Sequence, residues 1–377
     1  MVCISNALMV GGGIAGLSAA IALSRAGVQC DVVELFDSPL GASLALSGRA
    51  AEALDELGVY EACCATGRPF GSGDTKAMYQ WDVAGNLLSR GPQRPTWPGA
   101  KDAVAVYRPA FIQVLSEEAR RLGVTIRTGI TTERIDDYGD ACAVTFTDGS
   151  TGRYDLVVGA DGIGSRTRST LFPEDPGPTY AGQISIRWMV PGPAVEGEGW
   201  YLGPVGRFGF YYLPHQNQIY VPAVISEPIW ERKSKKQVLA LFTRLLDSYT
   251  APAVVALRDR LTPDADLICR PFDWILVPGP WHRGRTLLIG DAAHATTAHM
   301  GMGGGMALED SVVLGQCIAA AITLDDALTA FMARRFERVR SVVETSVGLS
   351  RLEQANAPMS ENIALLTKAF QSLAQPY

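Results

Sequence analysis

The sequence predicts an α/β protein with three parts: a Rossmann-like domain, an inserted and mainly antiparallel β-sheet domain, and a helical C-terminus. Three observations carry that reading. A strand, a glycine turn, a helix and a second strand follow one another at the start of the chain, the unit that builds parallel, doubly wound sheets. From Gly182 to about Val224, aromatic-rich strand segments alternate with Pro/Gly turns, as in an antiparallel sheet. Helical patterning then dominates from Met306 to the end.

Ala7–Val10 reads as a short buried strand, followed by Gly11 to Gly13, a helix to about Ala26, and the strand Val28–Leu35. Arg49–Leu57 and Pro109–Leu122 read as helices closed by Gly58 and Gly123, the usual position for a glycine cap. Lys76–Trp81 and Leu87–Arg90 form a hairpin around Ala84-Gly85-Asn86 that can join the later sheet. Val124–Arg127, Ala143–Thr147 and Leu156–Val158 are strands. Gln183–Val190, Phe208–Leu213 and Gln218–Ile225 make the antiparallel segment, Gln237–Tyr249 an amphipathic helix, and Thr286–Ile289 a returning parallel strand. The implied partition is 1–70, 100–178 and 270–323 for the first domain. It leaves 71–99 and 179–269 for the second and 324–377 for a helical segment, where Leu324–Gln371 offers a surface for a homodimer.

Composition narrows the function. The chain has 377 residues, 47% hydrophobic, with a net charge of −6, which excludes disorder and gives no electrostatic reason to expect nucleic acid or an anionic membrane as partner. The basic run from Arg232 to Lys236 reads as a solvated helix start. Seven cysteines, with no CxxC and no Cys/His metal spacing, read as reduced thiols in a cytoplasmic protein without a metal centre. Residues 1–24 carry no charge, but they lack a basic leader and are broken by three glycines, so no targeting segment or membrane span is expected.

Three motifs carry chemistry. Gly11-Gly12-Gly13-Ile14-Ala15-Gly16 is a G-x-G-x-x-G at a strand-to-helix turn, with Glu34 ending the next strand. The glycines permit a tight turn, backbone approach to a pyrophosphate and close helix packing, and the carboxylate can accept hydrogen bonds from an adenosine ribose. FAD and NAD both fit that signal. The second motif runs from Asp155 through Gly159-Ala160-Asp161-Gly162 to Arg168. The third is Gly284 to His294, with Gly290-Asp291, then Ala298-His299-Met300-Gly301-Met302-Gly303-Gly304-Gly305-Met306 and Glu309-Asp310. The Asp-Gly and Gly-Asp pairs of these two motifs follow hydrophobic strands, at the carboxyl ends where α/β sheets bind ligands.

These three motifs, in this order over nearly the whole chain, resemble the FAD-dependent aromatic hydroxylases, the class A flavoprotein monooxygenases of p-hydroxybenzoate and salicylate hydroxylase type. The resemblance implies FAD held by Gly11, Gly13, Ala15, Gly16 and Glu34, with Arg108 of Tyr107-Arg108-Pro109 on its phosphates. It implies Asp161 and Gly162 for FAD and the nicotinamide cofactor, Asp291 for the flavin ribityl, and Gly301, Gly303, Gly304 and Gly305 for the isoalloxazine. NADH or NADPH, bound transiently without its own domain, and molecular oxygen complete the implied chemistry, which is hydroxylation of a small aromatic substrate through a flavin C4a-hydroperoxide. The family's proline before the glycine loop is Ala298 here, and its glutamine is Met302, although His299 matches the salicylate-hydroxylase-like variant.

A phenol or similar group is activated by deprotonation, so a base or cation belongs near the ring. The aromatic strands offer Arg187, Arg207, Tyr211, Tyr212, His215 and Tyr220. By resemblance to urate- and hydroxybenzoate-hydroxylating relatives, Arg207 and Tyr220 match the substrate-facing Arg and Tyr, with Tyr220 or His299 accepting or relaying the proton. Three alternatives share the fold: a halogenase, a reductase or oxidase that does not hydroxylate, and a non-catalytic flavin binder. Lys76 is available to a halogenase, but Pro271 to Pro278 has one Trp, at the wrong spacing.

Overall fold

The computed structural model describes residues 3–37, 41–71, 79–90, 97 and 99–377. The chain opens with β1 (Asn6–Val10), α1 (Ile14–Arg25) and β2 (Gln29–Glu34). There follow β3 (Ser43–Leu46), α2 (Arg49–Glu56), α3 (Tyr60–Thr66), β4 (Arg68–Phe70), β5 (Tyr79–Trp81) and β6 (Leu87–Arg90). Next come β7 (Ala103–Tyr107), α4 (Arg108–Arg121), β8 (Thr125–Thr128), β9 (Thr132–Asp137), β10 (Cys142–Phe146), β11 (Thr151–Tyr154), β12 (Leu156–Gly159) and α5 (Arg166–Leu171). The middle of the chain holds β13 (Thr179–Pro191), β14 (Gly199–Leu202), β15 (Arg207–Leu213), β16 (Gln218–Ser226), α6 (Lys235–Asp247), α7 (Pro252–Arg258) and β17 (Leu267–Trp274). The end consists of β18 (His282–Arg283), β19 (Thr286–Leu288), α8 (Asp291–His294), α9 (Gly303–Ala320), α10 (Leu324–Gln354) and α11 (Met359–Leu373).

The first sheet runs β18-β19-β12-β1-β2-β8, parallel except at β18. Its central strands are apolar throughout because both faces are covered. Met9 and Val32 join the core shared with α1, α4 and α9, whereas Leu8, Val10 and Val33 pack against the antiparallel sheet β11-β10-β9.

The second large sheet runs β17-β13-β16-β15-β14-β5-β6. Its strands alternate. Ile184, Ile186, Trp188, Phe208, Phe210, Ile219 and Val221 point into a core closed by α6 and α7, where each fully buried large side chain contributes about 1.5–3 kcal/mol. The residues between them face the other way, toward β7 and the start of α4.

The expected hairpin does join this sheet: β5 pairs in parallel with β14, and β6 continues the edge. Lys76 and the hairpin's first residues lie outside the described residues. Several element boundaries differ from the sequence reading by a few residues, and two differences have a clear local cause. Helix α9 starts at Gly303, three residues before Met306, because a Cβ on Gly305 would stand 2.9 Å from Ala50 Cβ and packing needs glycine inside the helix. The C-terminal helical stretch is two helices, since Asn356 takes a positive φ of 51° after α10 and Pro358 stands immediately before α11. Their apolar residues, Val339, Val342, Phe370 and Leu373 among them, belong to the chain's own main core. No helix among the described residues is long and apolar enough to cross a membrane.

Candidate functional site

The glycine turn after β1 divides its glycines by what requires them. Gly11 has φ +111° and donates to Val33 O at 2.8 Å, and a side chain there would run into the Ala160 carbonyl. A Cβ on Gly16 would overlap the Gly11 carbonyl oxygen. Gly13, the residue preceding α1, has no protein atom within 4 Å of a built Cβ. Packing therefore demands Gly11 and Gly16, whereas Gly13 is left for a ligand's close approach. The start of α1 has no side-chain cap and no acidic residue in its first turn, so its amides and partial positive charge face outward.

Glu34 closes on this turn. Its Oε2 accepts from Gly12 N at 2.7 Å and its Oε1 from Phe36 N at 2.9 Å, which fixes the carboxylate beside the glycines. Arg108 begins α4 with its side chain against Gly41. Burial pushes its pKa down, Asp291 and Glu34 push it up, and Arg187 pushes it down again. Three charged groups far apart in sequence therefore act on Arg108 here. Asp291 itself is exposed, at the first position of α8. The Asp161 carboxylate is taken up within its own turn, accepting from Ser165 Oγ at 2.5 Å and from Thr167 N and Oγ1 at 3.0 and 3.1 Å. The adjoining Gly162 has open space around a built Cβ.

A fully buried network sets the third motif. Gly290, at φ +57°, donates from N to Asp310 Oδ2 at 3.0 Å, and His294 Nε2 lies 2.6 Å from the same oxygen. Arg335 Nε donates to Asp310 Oδ1 at 2.8 Å and its Nη1 to Glu309 Oε2 at 2.7 Å, where Arg338 also binds. Burial alone would raise the Asp310 pKa, but the charges of His294 and Arg335 prevail and hold it at about 2. Arg335 and Arg338 have no local sequence signal. The pair Glu309-Asp310 inside an otherwise apolar helix was the visible sign that cations must reach it.

Next to this network, α9 begins with Gly303 to Gly305 packed on β3 and α2: a Cβ on Gly304 would meet Leu44 Cδ1 at 3.1 Å. Met302, the residue before this helix, is buried and gives it no side-chain cap. Ser47 Oγ, just after β3, and Thr296 Oγ1, beside Gly303, are buried without a hydrogen-bond partner among the described residues. Uncapped helix starts at α1 and α9, glycines clear of protein atoms, and hydroxyls awaiting a partner suit a dinucleotide carrying a polar ring system.

The second sheet supplies the facing wall. Register places Arg187 opposite Pro222, Met189 opposite Tyr220, and Tyr220 opposite Tyr211, on the face that also carries Arg207. Tyr212 points to the opposite face, and His215 is exposed in the following turn. Tyr211 and Tyr220 meet edge to face at 5.4 Å, and Tyr211 OH donates to Ser43 Oγ at 2.9 Å, which donates to Val106 O at 2.7 Å. Burial raises the pKa of both tyrosines; Arg187 opposes the rise at Tyr220.

Arg207 and His299 come together through a residue absent from the sequence reading, Glu353 of α10. Arg207 Nε donates to Glu353 Oε2 at 2.7 Å, Gln183 Nε2 donates to Oε1 at 3.2 Å, and the guanidinium lies 4.5 Å above the Trp200 ring. Burial would raise the Glu353 pKa, but Arg207 and His299 hold it at about 2. His299 Nδ1 bonds Thr297 Oγ1 at 3.0 Å; its Nε2 lies 3.4 Å from Glu353 Oε2, out of hydrogen-bonding alignment. Burial lowers the His299 pKa, and Glu353 only partly offsets that.

A family model described as FAD binding domain matches residues 5–346. The chain is 30% identical over 366 residues to an FAD-dependent urate hydroxylase of Klebsiella pneumoniae, covering 90% of this chain and 88% of that protein. It is 30% identical over 367 residues to a 2-heptyl-3-hydroxy-4(1H)-quinolone synthase of Pseudomonas aeruginosa, covering 94% and 91%. Its fold matches a crystal structure of a Klebsiella pneumoniae HpxO variant complexed with FAD, with a TM-score of 0.80, 25% identity, and coverage of 99% and 95%.

Proposed function

Because the chain belongs to the FAD binding domain family and is an FAD-dependent monooxygenase, we propose that it oxidises NADH or NADPH and hydroxylates a small aromatic or heteroaromatic substrate. The observation that carries the reading is the opposition of two walls. One holds the glycine turn, Arg108, Asp291 and the start of α9. The other is the polar, aromatic face of the second sheet, with Trp200, Tyr211 and Tyr220. Relatives named for urate and for a hydroxyquinolone favour a heteroaromatic nucleus.

In this reading Gly11, Gly13, Ala15, Gly16, Glu34, Arg108, Asp161, Gly162, Asp291, Gly301, Gly303, Gly304 and Gly305 line the FAD. When bound there, FAD would supply two-electron chemistry between the nicotinamide and molecular oxygen, one oxygen atom entering the substrate and the other leaving as water. The chain's residues orient substrate and manage its proton. Tyr220, a phenol whose pKa burial raises further above its ordinary value of 10, donates a hydrogen bond. His299, kept neutral by burial beside Glu353, accepts the substrate proton, and the carboxylate then stabilises the imidazolium.

The test is a panel of phenols, hydroxypyridines and fused heteroaromatics, read by stimulated NAD(P)H oxidation and by a product one oxygen atom heavier. Oxidation that yields only hydrogen peroxide across the panel would refute hydroxylation.

A further inference from the structure

We propose that Arg187, and not Arg207, binds the oxyanion of the substrate, and that Glu353 determines this choice. The inference rests on the hydroxylase reading above and names the residue that recognises its substrate.

Arg207 and Arg187 share one face of the second sheet, where a cation would meet a phenolate or carboxylate. Their charges stand differently. Arg207 is engaged by a carboxylate at 2.7 Å that Gln183 also holds, with a tryptophan ring beneath the guanidinium. The pair is neutral as a unit and has little charge left for an anion. Arg187 is only partly exposed, and no carboxylate lies within ion-pair distance of it among the described residues. Its hydrogen bond within the strand, to Ser185 Oγ, is long at 3.4 Å.

A half-buried guanidinium with no carboxylate beside it keeps its charge available to an incoming anion. Its neighbours are the two groups that matter. Tyr220 lies across from Met189, two residues along the strand, and Tyr107, immediately before Arg108, packs against that same Met189 and Tyr220 cluster. Arg187 therefore stands between the aromatic wall and the start of α4. An oxyanion there has Arg187 as its cation and the Tyr220 hydroxyl as a further donor.

The test uses the FAD-loaded enzyme and iodide as a monovalent anion probe, followed by saturable quenching of flavin fluorescence. The wild type should bind iodide. Arg187→Met should weaken it by about tenfold or more, and Arg187→Lys, which keeps the charge, by only about threefold. The double variant Arg207→Gln/Glu353→Gln, which removes the pair without leaving Glu353 unpaired, should leave iodide affinity within about twofold. Glu353→Gln, which releases the Arg207 charge, should tighten iodide several-fold. FAD affinity should change little in Arg187→Met.

Three results overturn the proposal: absence of saturable quenching in the wild type; loss of iodide binding in the Arg207→Gln/Glu353→Gln double variant but not in Arg187→Met; or loss of FAD affinity in Arg187→Met with iodide binding unchanged, which would assign Arg187 to the cofactor phosphates. The iodide result does not depend on turnover, so a failure of the hydroxylation panel leaves it readable and strikes the functional reading alone.

Discussion

Arg207 of the second sheet and Glu353 of the C-terminal helix are joined by an ion pair of 2.7 Å across 146 residues of sequence. Through that contact α10 reaches into the face opposite the glycine loop and sets the charge state there. It also brings His299 to 3.4 Å from the same carboxylate oxygen, so sheet, helix and loop share one electrostatic unit.

This unit predicts an acid sensitivity. Glu353 titrates at about 2 in the fold against an ordinary value of 4.5, so its stabilisation is complete above about pH 4.5 and drains as pH falls toward 2. His299 is lowered from 6.5, so the fold pays for charging it as pH drops below that value. Both act in one direction. Melting temperature should fall on acidification, and Glu353→Gln should flatten the limb below pH 4.5; an identical limb in the variant would show that this carboxylate contributes nothing there.

The two kinds of glycine in the first motif should separate experimentally. Gly16→Ala forces a side chain onto the Gly11 carbonyl and should cost more than about 3 kcal/mol in denaturant unfolding. Gly13→Ala meets no protein atom and should cost under about 1 kcal/mol, yet weaken FAD by about tenfold or more. Equal stability losses in the two variants would contradict the division.

Asp291→Ala removes an exposed side chain and should shift stability by no more than about 0.5 kcal/mol while FAD affinity falls at least about tenfold. Full flavin occupancy after dialysis of this variant would remove Asp291 from the cofactor site.

Asp310→Ala tests the opposite case. It leaves Arg335 short of one carboxylate and Gly290 N without its acceptor, all buried, and should destabilise by about 3–5 kcal/mol. Calorimetry of the variant against wild type measures it directly.

The thiols should be bystanders. Burial raises every cysteine pKa, to about 12 at Cys30 and Cys63 and about 11 at Cys142, so little thiolate exists at neutral pH. Iodoacetamide treatment of the folded enzyme should leave NAD(P)H oxidation intact, and inhibition that follows labelling of one cysteine would overturn this.

What the sequence determined by itself was local. A glycine turn between a strand and a helix, an Asp-Gly pair after an apolar strand, and the alternation of β13, β15 and β16 all depend on sterics and periodicity within a few residues. Gly11, Gly16, Glu34 and the strands that carry Arg187, Arg207, Tyr211 and Tyr220 were therefore legible from the chain, whereas the pairing register that turns Tyr212 away from those four was not. Only the tertiary structure decided which arginine is paired with a carboxylate, that the Asp161 carboxylate is occupied within its own turn, and that α9 starts among its glycines. A charge is cancelled by whatever carboxylate packing brings to it, and a glycine is admitted to a helix when a neighbour such as Ala50 leaves no room for a Cβ. Both depend on distances between segments far apart in sequence, which no local pattern specifies.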